Sequence, residues 1–105
     1  MHTLRIFYEY QCLPIWENSE SGELLGDRIP PELLKESELT RIITDLAQEY
    51  DSLFIDNERV FEFKGFSSDS ERTVFLEKTD RAIEMIKVAA RDKYIVLDEV
   101  DRVNI

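Results

Sequence analysis

One histidine and one cysteine, His2 and Cys12, are the only residues of their types in this sequence. A nucleophile usually needs a base beside it, and a structural zinc site needs about four ligands dominated by Cys and His. Two such residues are too few for a zinc site, and a single cysteine excludes an intrachain disulfide. We therefore expect Cys12 to be a small buried hydrophobe and His2 to be a solvated side chain near the terminus.

Phosphate, calcium and glycosidase chemistry also lack their sequence patterns. Gly22, Gly26 and Gly65 are scattered, whereas a phosphate-binding loop needs clustered glycines. Residues 51–58 carry several carboxylates but not the spacing or the glycine of a calcium loop. A catalytic carboxylate pair would need a deep cleft, for which a chain of 105 residues has little material. The sequence predicts no catalytic residue, no metal site and no cofactor, and we expect a protein that is not an enzyme.

The charge balance favours a protein partner. The 23 Asp and Glu residues outnumber the 13 Lys and Arg residues, which gives a net charge of −10. Phosphate backbones and anionic lipid surfaces both reward basic patches, so we expect no nucleic-acid and no membrane partner. No apolar run reaches the about 20 residues of a membrane span, and no signal-peptide pattern opens the sequence. We expect a cytoplasmic protein that is attracted to a basic partner.

Unbalanced acidic residues form the candidate binding surface. Four of them lie on roughly one side of the first long predicted helix, at spacings of seven, four and seven: Glu38, Asp45, Glu49 and Asp56. Four more, in the predicted loop before this helix, extend the same negative field: Glu17, Glu20, Glu23 and Asp27. Trp16, beside that loop, is of a type that anchors interfaces. The alternative is an ordinary solvated helix face, with Trp16, Tyr8 and Tyr10 in the core.

The strands that support these residues follow from apolar alternation. Residues 3–11 alternate, and the extended pattern continues to residue 16 through Pro14, which predicts a bulge or an edge strand. Residues 17–27 are predicted to form a polar loop, and residues 29–33 a short helical turn. A further strand is predicted over residues 59–64. The last strand, over residues 94–97, is nearly all apolar, so we expect it to be more buried than the others.

Two long amphipathic helices complete the prediction. The first covers residues 38–55, has Ser37 as its N-cap, and carries an apolar stripe of Leu39, Ile42, Ile43, Leu46, Tyr50, Leu53 and Phe54. The second covers residues 69–91, begins with a capping box of Ser68 and Glu71, and carries a stripe of Phe75, Thr79, Ala82, Ile83, Ile86 and Ala90. The expected fold is a single α+β domain over residues 1–105, with a small, mostly antiparallel sheet and two long helices packed on one face.

Several stretches of the chain have the look of a known group of proteins. They are residues 8–16 (YEYQCLPIW), the loop to residues 29–33 (IPPEL), the helix end at residues 50–54 (YDSLF) and the pair Gly65-Phe66. Together they resemble small acidic bacterial immunity proteins, which are encoded beside polymorphic or contact-dependent inhibition toxins. The resemblance implies a non-enzymatic cytoplasmic protein that binds one cognate toxin domain and blocks its active site or substrate path. Many such toxins are nucleases with basic clefts, which an acidic inhibitor would suit. An acidic adaptor or regulatory module that binds some other protein is the second hypothesis.

Overall fold

A computed structural model describes all residues from 1 to 105 and contains six strands and three helices. In chain order these elements are β1 (His2–Ile6), β2 (Ile15–Asn18), β3 (Leu24–Asp27), α1 (Pro31–Leu34), α2 (Ser37–Asp51), β4 (Phe54–Asp56), β5 (Phe61–Phe63), α3 (Asp69–Ala90) and β6 (Tyr94–Asp98). The α+β class is therefore confirmed. None of the helices combines the length and the apolar character needed to span a membrane.

The strands form two sheets, and the larger one is mixed. Its order is β3-β2-β1-β6, with antiparallel β3–β2 and β2–β1 pairs and a parallel β1–β6 pair. The parallel pair arises because β6 enters the sheet after the long helix α3, and such a crossover returns the chain in the same direction. β4 and β5 pair only with each other, as a separate antiparallel hairpin. The prediction of one small, mostly antiparallel sheet is therefore confirmed only in part, because the larger sheet is mixed and a second sheet is present.

The prediction of one long first strand is wrong, because the chain reverses between Ile6 and Ile15. Gln11 has a φ of 61°, in the left-handed region that turns use. The backbone N–H of Phe7 donates to the carbonyl of Pro14 at 3.1 Å, which closes the loop. Pro14, having no N–H, stands just before β2 rather than within a strand. Two short strands in an antiparallel hairpin replace the one extended segment.

The second long helix buries its whole predicted apolar stripe, and the first buries the N-terminal part of its stripe. Every residue of the expected α3 stripe is buried, and α2 buries Leu39, Ile42, Ile43, Leu46 and Ala47. One part of the stripes forms a cluster between α2 and α3, which consists of Ile42, Leu46, Phe75 and Ala82. The other part packs with Leu4 and Ile6 of β1 and Ile15 of β2 in the main core, to which the helices contribute Leu39, Ile43, Ile83, Ile86 and Ala90. The short helix α1 adds Leu33 to this main core. The core therefore lies between the helices and one face of the larger sheet.

The helix ends differ from the prediction at α2, and at the start of α3 the predicted cap is confirmed without its return bond. Ser68 caps α3, since its hydroxyl accepts the N–H of Glu71 at 3.1 Å. The carboxylate of Glu71 accepts a hydrogen bond from the hydroxyl of Ser67, and this bond replaces the expected return bond to Ser68. At α2 the N-cap is Glu36, without a side-chain bond, and Ser37 is the first helical residue. The helix stops at Asp51, before the last two residues of the predicted stripe.

The expectation that the last strand is the most buried is wrong. β6 pairs with β1 alone and forms one edge of the sheet. Ile95 is 48% exposed and Leu97 is 42% exposed, because the sheet face opposite the helices has no covering layer over them. The nearly all-apolar sequence of β6 is typical of a strand that is covered on both faces, but β6 lies at an open edge of the sheet.

Candidate protein-binding surface

Glu17 belongs to the fold rather than to an exposed acidic loop. It lies in β2, is 3% exposed, and faces the same side of the sheet as Leu4. Its Oε1 accepts the Nε–H of Arg28 at 2.9 Å, and its Oε2 lies 2.5 Å from Nδ1 of His2. Burial alone would raise the pKa of Glu17, but the hydrogen bonds and charges of His2 and Arg28 outweigh it and lower that pKa. His2 is therefore half-buried and paired, which corrects its expected solvated position.

The other acidic residues before α1 are split between structural and exposed positions. Asp27 lies in β3, and its Oδ2 accepts the backbone N–H of Leu13 at 2.9 Å, which ties down the β1–β2 loop. Glu20 and Glu23 are exposed in the turn between β2 and β3, and Glu20 contacts the amino group of Met1. β2 and β3 therefore occupy most of the predicted loop, and of its four acidic residues only Glu20 and Glu23 lie in an exposed turn.

Trp16 is buried rather than displayed. Its ring stacks on Phe7 with the centroids 4.9 Å apart, and its Nε1–H donates to the Phe7 carbonyl at 3.3 Å. Tyr8 packs elsewhere, between Tyr50 and Phe75, and its hydroxyl lies 2.7 Å from that of Thr79. Trp16 and Tyr8 therefore pack in different parts of the molecule, and the alternative that placed them in the core describes both.

The acidic residues predicted for the first long helix occupy two elements. Glu38, Asp45 and Glu49 lie on α2, whereas Asp56 lies in β4. Glu38 and Glu49 are exposed, and Asp45 is half-buried. The ammonium of Lys78 on α3 lies 3.4 Å from the carboxylate of Glu49, so part of this negative charge is balanced within the chain.

Five aromatic side chains gather at the surface beside the end of α2. The aromatic surface consists of Tyr10, Tyr50, Phe54, Phe61 and Phe63. Phe54 is its centre, with ring centroids 4.6 Å from Tyr10, 5.3 Å from Tyr50, 5.6 Å from Phe61 and 5.1 Å from Phe63. Tyr10 also lies 5.2 Å from Phe61. These separations match the range in which aromatic pairs stabilise each other.

The two phenylalanines of β5 remain open to solvent. Phe61 is 60% exposed and Phe63 is 41% exposed, and the neighbouring Val60 is 41% exposed. Isolated exposed apolar side chains are ordinary, but a contiguous patch with polar residues around it marks an interaction site. Aromatic residues at such positions also supply most of the binding energy in many interfaces.

The short β4–β5 hairpin presents this surface. Asn57 shapes its turn, because its side-chain oxygen accepts the N–H groups of Arg59 at 2.9 Å and Val60 at 3.0 Å. At the other end, the N–H of Lys64 donates to the carbonyl of Leu53 at 2.8 Å. With strands of only three residues, the hairpin depends on Phe54 and its aromatic neighbours for support.

Carboxylates lie along one side of the aromatic surface. The hydroxyl of Tyr10 donates to Asp56 at 3.0 Å, and this hydrogen bond is the main reason that the pKa of Tyr10 is raised. The pKa of Tyr50 is raised by burial and by the charges of Glu9 and Asp51. Arg59 lies in the turn of the hairpin, and Lys64 directly follows β5. Neither cation forms an ion pair. Asp51, Asp56 and Glu9 therefore place negative charge beside Tyr10 and Tyr50.

Sequence reasoning missed this surface as a unit. The alternation at Phe61 and Phe63 correctly predicted a strand, and only the short, charge-flanked segment around them hinted at exposure. Tyr10 and Asp56 are 46 positions apart, so their contact is invisible to local patterns.

The structure shows no group of three or more His, Cys, Asp and Glu residues arranged to hold a metal ion. Cys12 is half-buried, and burial, followed by the charges of Asp27, Glu9 and Asp51, raises the pKa of its thiol. A raised pKa disfavours the reactive thiolate. No protein-family model matches this chain, and no curated protein matches it either.

Proposed function

We propose that this chain is an immunity-type inhibitor, which binds a basic toxin domain and blocks its active site or substrate path. The observation that carries the proposal is the exposure of Phe61 and Phe63 within an aromatic surface edged by carboxylates. An aromatic centre with charged groups at its side is the arrangement from which protein interfaces draw affinity and specificity.

The chemistry of the surface favours a partner rich in Lys and Arg. Aromatic faces attract cations, with about 0.5–1 kcal/mol for an exposed pair and more when the pair loses water. Asp51 and Asp56 lie beside the phenol rings and can accept hydrogen bonds from guanidinium or ammonium groups. The net charge of −10 adds long-range attraction, and the exposed Glu38 and Glu49 on α2 belong to the same field.

A basic cleft that normally holds a phosphate backbone would meet this surface with opposite charge. A nuclease toxin has such a cleft, and an acidic protein seated in it would exclude the substrate. In this role the chain acts in the bacterial cytoplasm, binds stoichiometrically and catalyses nothing. An adaptor that binds a basic protein unrelated to toxins would use the same surface, so genetic context distinguishes the two.

The test is coexpression with the protein products of the genes beside this one. We expect one of them to arrest growth when expressed alone and to be tolerated when this chain is present. The variant F61S/F63S should lose protection and bind the purified toxin domain at least tenfold more weakly, which corresponds to about 1.4 kcal/mol.

The matched control is V74S/V88S. Val74 is 62% exposed and Val88 is 67% exposed, and both lie on α3, so a pair of apolar side chains at least as exposed as Phe61 and Phe63 is lost outside the hairpin. This control should protect like the wild type, and circular dichroism should show the same helix content for all three proteins. Neighbouring products that are all harmless would contradict the inhibitor role. Full protection by F61S/F63S would contradict the assignment of the surface.

A further inference from the structure

The open edge formed by β6 has unsatisfied backbone groups and an apolar outer face. The N–H of Glu99 donates to the carbonyl of Ile6 at 2.9 Å, so odd-numbered residues of this segment direct their backbone groups towards β1. Successive residues of a strand alternate in this respect, and the backbone groups of Tyr94, Val96 and Asp98 therefore point to the open edge. Such an edge is a template for another strand.

This edge lacks the features that normally protect edge strands. β6 reads Tyr-Ile-Val-Leu-Asp, with no proline, no lysine and no bulge, and its one charged residue, Asp98, is the last of the strand. Ile95 and Leu97 are 48% and 42% exposed on the face opposite the helices. Four consecutive apolar residues of this kind are typical of a strand with neighbours on both sides.

We propose that the β6 edge binds the same edge of a second copy of this chain, in antiparallel orientation about a two-fold axis at Val96. In this register Ile95 lies opposite Leu97 of the second copy, and Leu97 opposite its Ile95. The four side chains then form one apolar block on the outer face. Tyr94, Val96 and Asp98 exchange backbone hydrogen bonds with the second copy, and the two sheets become one.

The charges beside β6 are complementary under this two-fold operation. Lys93 precedes the strand and Glu99 follows it, so each Lys93 lies opposite the other copy's Glu99. Lys93 forms no ion pair within its own chain, while Glu99 accepts a hydrogen bond from Nε of Arg5 at 2.7 Å and keeps room for a second donor. A strand whose two ends carry opposite charges pairs favourably with itself only when antiparallel, which fixes the orientation.

The net charge of −10 on each copy acts against association, and salt screens this repulsion beyond about 8 Å at physiological ionic strength. The apolar block and the backbone hydrogen bonds do not depend on that screening. We therefore expect self-association to persist, or to strengthen, as salt is raised. This behaviour is opposite to that of the proposed basic partner, so the two interactions can be separated experimentally. The inference does not depend on the proposed function, because the aromatic surface belongs to the other sheet.

Sedimentation equilibrium of the purified chain tests the proposal. The wild type should rise from 12.4 kDa towards twice that mass as its concentration is increased to about 1 mM. L97K should remain monomeric, because the lysine enters the apolar block. The matched control is L24K, since Leu24 is 53% exposed and lies on β3, the opposite edge of the same sheet. L24K should associate like the wild type.

A cysteine pair tests the register. In a C12S background, I95C/L97C should form an intermolecular disulfide dimer on mild oxidation, because opposite residues of a non-hydrogen-bonded antiparallel pair have Cα atoms about 4.5 Å apart. The proposal is overturned by a wild type that is monomeric at every concentration, by association that L97K leaves intact, or by association that L24K rather than L97K abolishes. The last result would move the contact to the β3 edge.

Discussion

Nδ1 of His2 lies 2.5 Å from Oε2 of Glu17, and this contact joins the first residue of β1 to a carboxylate that is 3% exposed. Arg28 completes the arrangement at the other carboxylate oxygen. Glu17 therefore stabilises the β1–β2 ladder from the helix-covered face more when it is ionised than when it is protonated. Two donors compensate the cost of burying the charge, which is the usual condition for a buried carboxylate.

The first prediction concerns acid stability. The folded pKa of Glu17 is lower than its ordinary value of 4.5, so its stabilising contribution is complete above that value and disappears as the pH falls through the folded pKa. E17Q should lower the free energy of unfolding at neutral pH by about 1–3 kcal/mol. The gap between wild type and variant should then shrink as the pH is lowered from neutral through 4.5 and below. Urea unfolding across this range measures it, and a gap independent of pH would contradict the assignment.

How far sequence reasoning succeeds depends on whether the determining contacts are local. The α3 stripe and the Ser68 cap follow from spacings within one helix, and the structure confirms both. The bonds of Glu17 join three separate segments, and the burial of β6 depends on which faces have neighbours. Neither can be obtained from periodicity. The aromatic surface is missed for the same reason, because its members lie on a loop, a helix and a hairpin.

The second prediction tests the core. Leu46 is 1% exposed and Ile83 is 3% exposed, and they lie on the facing stripes of α2 and α3. L46A and I83A should each lower the free energy of unfolding by about 2–5 kcal/mol, through lost burial and the cavity that remains. The control V88A removes a side chain that is 67% exposed on α3 and should change stability little. Equal urea midpoints for all three variants would contradict the described packing.

The third prediction separates a cap from an ordinary first-turn residue. Ser68 accepts the N–H of Glu71, whereas Ser37 is the first residue of α2 and makes no capping bond. S68A should cost about 1 kcal/mol, the usual value of an N-cap, whereas S37A should cost little. Both variants make the same chemical change at the start of a long helix, so each is the other's control. Thermal unfolding that shows equal losses would mean that the Ser68 bond contributes nothing.

The last prediction concerns how the proposed partner is attracted. D45K/E49K replaces two acidic residues of α2, next to the aromatic surface, and changes the net charge of the protein from −10 to −6. E77K/E84K makes the same change of net charge on α3. If the field at α2 steers the toxin domain found by coexpression, D45K/E49K should slow association more than E77K/E84K does, while both variants stay folded. The difference should disappear at high salt, since attraction between exposed charges is screened within about 8–10 Å at physiological ionic strength. Loss of the Glu49–Lys78 contact adds only a small stability change, because the pair is partly exposed. Stopped-flow measurements at low and high salt give the association rates. Equal slowing by both variants would assign the effect to the total charge of the protein. The α2 face would then be an ordinary solvated surface.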